Sequence, residues 1–123
     1  MNAAAFRRGE AITRLENYAH VLVEHLALVT WYPAHTAHQH WQAELAAFRK
    51  ALQRYNTGKG SKSNFTLEIV IETLMDVLAT HEEQDYLLIG VEAHGVALPS
   101  EPDWQALHSK IQEFARQVVS KKN

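Results

Sequence analysis

An all-α fold, in the form of an up-down four-helix bundle with antiparallel neighbours, is what this sequence predicts. Three observations carry the prediction. Apolar residues recur three and four positions apart in four separate runs, the spacing of one face of a helix. Breakers fall between the runs: Pro33, the Gly/Ser/Lys-rich stretch 56–63 and the stretch 95–102, which reads GVALPSEP. No stretch alternates apolar and polar residues for long enough to make a strand. Short connections between helices favour antiparallel neighbours.

Helix one is expected over 10–32, with the residues before it fraying and Gly9 near its start. Ile12, Leu15, Ala19, Leu22, Leu26 and Val29 form one apolar stripe, and Tyr18, Val21, His25, Leu28 and Tyr32 form a second beside it. Only the face carrying Thr13, Glu16, Asn17, His20 and Glu24 is plainly polar. A helix that is apolar over most of its girth belongs at the centre of a bundle or at an interface between bundles. Pro33 cannot continue that helix, because it lacks an N–H and clashes with the preceding turn. It suits the first turn of a new one, so helix two is expected over 34–55. Its stripe is Ala34, Ala37 or His38, Trp41, Leu45, Phe48, Leu52 and Tyr55.

Helix three is expected over 64–93, capped by Asn64, with Leu67, Val70, Ile71, Leu74, Leu78, His81 and Leu88 facing inward. Helix four is expected over 102–120. Ser100 is its expected cap, with Pro102 in the first turn and Asp103 at the favourable positive end. Trp104, Leu107, Ile111, Phe114 and Val118 make its stripe.

Composition bounds what such a chain can do. Its 123 residues suit one domain, and hydrophobic content of 46% argues against disorder. Cysteine is absent. That excludes disulfides, thiolate metal sites and a cysteine nucleophile, and it fits a reducing compartment. No apolar run reaches the roughly 18 residues of a membrane span, and the N-terminus has no signal layout. The expected location is the cytoplasm. A formal net charge of −2 argues against a strongly electrostatic nucleic-acid binder, yet the charges are segregated. Arg49, Lys50, Arg54, Lys59 and Lys62 follow one another with no acid between them; nine acids and no Lys or Arg then follow over 63–109.

Candidates for chemistry are sparse. His20–Glu24, His40–Glu44 and His81–Asp85 are each spaced i, i+4, on one helix face. Inward-pointing side chains of these types build iron and manganese sites in helical bundles, an arrangement loosely similar to the hemerythrin-like family. His35, His38 and His40 cluster at the Pro33 corner, and with His81 and Asp85 they are the candidate ligands of a metal ion, the one cofactor the sequence suggests. The competing reading is a set of solvated or locally paired side chains. His25, on an apolar stripe, reads as a core histidine whose ring N–H finds a nearby partner. Arg49, Lys50, Arg54, Lys59 and Lys62, with Phe48 and Tyr55 interleaved, are the candidate anion or nucleic-acid residues; the plainer reading is a basic helix two beside an acidic helix three. The loop TGKGSKS lacks the spacing and the preceding strand of a phosphate loop. No Ser–His–Asp constellation can be assembled.

His25 and Leu26, Pro33 eight residues after His25, and then His40, Trp41, Glu44, Phe48 and Arg49 make a pattern H-L…P…H-W-x-x-E-x-x-x-F-R. This pattern resembles a bacterial family, common in cyanobacteria, known as domain of unknown function twenty-nine. The likeness spans residues 15–104, with ALPSEPDW corresponding to the proline-rich end of that family. It implies an all-helical fold and no established activity. The expected function is therefore a non-enzymatic module that binds another protein or a second copy of itself as a homodimer. Trp31, Tyr32, Trp41 and Trp104 are its candidate interface anchors, and the acidic stretch would meet a basic partner. No membrane partner is expected.

Overall fold

The computed structural model describes residues 3–55 and 66–120, with side chains over 12–54 and 66–120. The described residues are all-helical and contain no strand. There are five α-helices among them: α1 (Ala3–Trp31), α2 (His38–Tyr55), α3 (Leu67–Met75), α4 (His81–Glu92) and α5 (Trp104–Val119); a short 3₁₀ helix, Asp76–Leu78, separates α3 from α4.

α1 is the hub. Leu15, Leu22, Val23, Leu26, Ala27 and Leu28 are all but sealed from solvent, and the helix packs against α2, α3, α4 and α5. Burying one such leucine contributes about 1.5–3 kcal/mol. The chain's own helices therefore cover the girth that the sequence assigned either to a bundle centre or to an interface. Helical backbone begins at Ala3, earlier than expected, and Gly9 lies inside the helix.

The corner after α1 is longer than the sequence suggested. Pro33 does not start a helix: residues 33–37 form turns, and α2 begins at His38. Backbone bonds from His35 N–H to Tyr32 C=O and from His38 N–H to His35 C=O carry the chain round. His35 Nδ1 accepts from the Ala37 N–H at 2.9 Å. This local bond competes with continued helix and holds the turn open.

The expected third helix is broken in two. Its expected cap, Asn64, lies outside the described residues; Thr66 caps α3 by accepting from the Ile69 N–H. The 3₁₀ turn then closes on itself, and Thr80 opens α4 by accepting from the Glu83 N–H. The Gln84 side-chain amide donates to the Leu78 carbonyl at 3.0 Å, which partners an acceptor left at the break. α4 ends at Glu92, and the turn after it passes through Gly95, whose φ of +85° favours glycine. Asp103, not Ser100, caps α5, accepting from the Ala106 N–H, so Pro102 lies before the helix. Of the expected stripe of α5, Leu107, Ile111, Phe114 and Val118 are buried and Trp104 is half-buried.

α2 and α3 each pack mainly on α1 and α5. The expected pairing of a basic helix two with an acidic neighbour is replaced by this arrangement, and no ion pair joins α2 to α3 among the described residues.

Candidate functional site

A cluster of interacting polar side chains lies where α1 meets α4. Glu24 sits on the α1 face that contacts α4, its side chain only 19% exposed. His20 Nδ1 donates to its Oε2 at 3.3 Å. His94, from the turn after α4, brings Nε2 to 3.6 Å from Oε1. One carboxylate is thus held between two imidazoles. Gly90 makes the close approach possible, because a Cβ there would overlap the Glu24 carboxylate. His20 Nε2 is buried and has no partner, and the edge of its ring meets Tyr86.

His25 lies one helical position away and does a different job. Its Nδ1 is 2.8 Å from the Val21 carbonyl, which can only accept, so that nitrogen carries the proton. The ring is 5% exposed and packs edge-on against Phe48 and His94. It is the satisfied core histidine that its stripe position suggested.

Beyond this cluster, α4 shows solvent a stripe of its own. Tyr86 is 66% and Ile89 65% exposed, the largest exposures of big apolar side chains among the described residues. Glu82, Asp85 and Glu92 are exposed on the same helix. In helical register Glu82, Tyr86, Ile89 and Ala93 fall in one line, with Asp85 and Glu92 along one flank.

No family model, curated protein or solved structure matches this chain. What the site can do therefore rests on its geometry.

The proposed metal ligands are not brought together. His35 Nδ1 is taken by Ala37, and its ring stacks on Trp41. His38 Nδ1 is buried without a partner, while His40 pairs with Glu44 at 3.2 Å in open solvent. His81, expected on a core stripe, is exposed at the start of α4, as is Asp85. No group of three or more His, Asp and Glu side chains among the described residues is arranged to hold a metal ion.

The basic residues are also divided. Lys50 and Arg54 are exposed, Arg49 is half-buried, and Lys59 and Lys62 lie outside the described residues. The four aromatic anchors are engaged within the chain. Trp41 is buried. Trp31 meets Trp104 edge-to-face and donates to the Asp103 carbonyl at 3.1 Å. Tyr32 donates to the Ala97 carbonyl at 2.7 Å. Together these contacts tie the connector before α5 to the end of α1.

Sequence reasoning named His20 and Glu24 but missed His94 and the exposed stripe. Gly90 was the available signal, since a glycine inside an otherwise helical run marks a close approach.

Proposed function

We propose that this chain is a non-enzymatic module that binds a basic, partly apolar protein segment through the outer face of α4. The observation that carries the reading is the exposed pair Tyr86 and Ile89 with carboxylates around it. That face lies within 63–109, where there is no Lys or Arg to oppose a cationic partner. Apolar anchors would supply affinity, and the carboxylates would supply orientation and rate of encounter. We read the architecture as an up-down bundle in which α3 and α4 together fill the place of the third rod. We assign the chain to the cytoplasm because it has no cysteine; no described helix is long and apolar enough to cross a membrane.

A titration followed by amide NMR tests the reading. The probe is an amphipathic helical peptide of Leu and Lys, with a Leu/Glu peptide as control. The Leu/Lys peptide is expected to shift α4 amides, to weaken as salt screens the charges, and to lose binding to a Tyr86→Ser/Ile89→Ser variant. Shifts centred on other helices, or binding unchanged in that variant, would refute it.

Self-association is the second reading, and the separation of charge favours it. A second copy's exposed Lys50 and Arg54 would be the basic surface that meets α4. Light scattering over a range of concentration and salt decides: a strict monomer at low salt removes this form.

A further inference from the structure

A cleft of about 190 Å³ lies between α1, α2 and α5, and none of its lining comes from α4. Its apolar lining is Leu26, Val29, Leu45 and Phe114, all buried side chains, with the half-buried Ala46. Arg49 and Lys110 stand among its polar lining residues. Arg49 is half-buried and has neither a carboxylate nor a carbonyl partner among the described residues. Lys110 reaches Glu113 at 3.8 Å, with both side chains well exposed, and such a pair is easily exchanged for another. Two cations and the Glu113 carboxylate leave this cleft with one net positive charge.

We propose that this cleft binds a small aromatic monocarboxylate. Size sets the body of the ligand. An apolar cavity of about 150 Å³ accepts benzene. The cleft's 190 Å³ therefore leaves room for one ring and one further small group, with its mouth open to solvent. Charge sets the head. A single carboxylate neutralises the surplus positive charge, and its two oxygens match the planar fork of the Arg49 guanidinium. The ring lies over Ala46 and the small parts of Val29, Leu45 and Phe114 that reach the cleft, where it displaces water from apolar surface. A ligand of so few atoms binds weakly, in the millimolar to sub-millimolar range. This site is independent of the α4 face.

The test is an amide NMR titration of the full chain with benzoate. Benzylamine and sodium sulfate serve as controls. Benzoate is expected to shift the amides of cleft residues on α1, α2 and α5. Benzylamine and sulfate should leave them in place. Arg49→Gln should weaken benzoate binding about tenfold, in line with the loss of one charge-assisted contact. Ala46→Phe, which fills the cleft without altering its charge, should abolish binding. The proposal is overturned if benzoate shifts no cleft amide, if Arg49→Gln binds as the parent chain does, or if sulfate shifts the same amides equally. The parent titration stands even if either variant fails to fold.

Discussion

Gly90 and Glu24 are best understood as one unit. Alanine is worth about 1 kcal/mol more than glycine inside a helix, yet α4 keeps a glycine where a methyl group would displace the Glu24 carboxylate from His20 and His94. Gly90→Ala is therefore expected to gain little or no stability in the parent chain. In a Glu24→Ala background, the same change should gain about 1 kcal/mol. Urea unfolding of the four proteins in this cycle measures the coupling, and equal effects in both backgrounds would remove it. Tyr32 offers a pH-dependent case. Burial first, and then the Glu92 carboxylate, raise its pKa above the ordinary 10.0. The folded state thus favours the protonated phenol, which donates to Ala97. That contribution is complete below pH 10.0 and is lost as pH rises through the folded value. Tyr32→Phe should cost about 1 kcal/mol at neutral pH, and its deficit should shrink above pH 10.0. A deficit that stays constant into strong alkali would show that the phenol does not titrate as described.

At the scale of elements, the sequence was legible wherever one stripe ran unbroken between clear stops. α5 is such a case: its spacing named Leu107, Ile111, Phe114 and Val118, all buried, and left out only the small Ala115 beside them. α3 and α4 are the opposite case. Counting onward from Leu67 placed His81 in the core, but the 3₁₀ turn resets the helical phase, and His81 emerges in solvent. The overlooked signal was Thr80-x-x-Glu83, a capping sequence inside a run that otherwise read as continuous. Local backbone bonding prevailed there over apolar periodicity. The break is expected to be part of the stable fold, so Thr80→Ala should cost about 1 kcal/mol through loss of the cap. Thermal or urea unfolding would show it. A more stable variant would mean that the cap holds apart two helices that prefer to join.

Across the whole molecule, contacts converge on α1, and the candidate site follows from that convergence. α4 packs mainly on α1 and the 3₁₀ turn, whereas α5 is held by α1, α2 and α3. The histidine–carboxylate cluster was only half legible because His94 reaches Glu24 through this packing, which no local spacing records. The exposed face was hidden for a related reason: which side of α4 meets solvent depends on how α1 receives it. Unequal attachment should give unequal local stability. Leu22 in α1 and Leu87 in α4 are both 0% exposed, so truncating either leaves a cavity and should cost about 2–5 kcal/mol. The distribution of the loss is what separates them. Leu22→Ala removes packing from the helix that every other helix touches, so hydrogen exchange should speed up across the helices together. Leu87→Ala should speed exchange in α4 while α5 keeps most of its protection, because its neighbours are unchanged. Amide exchange measured residue by residue at neutral pH resolves the two patterns. If Leu87→Ala opened α5 as readily as α4, the molecule would unfold as one indivisible unit, and α4 would be no more free to adapt to a partner than the core beneath it.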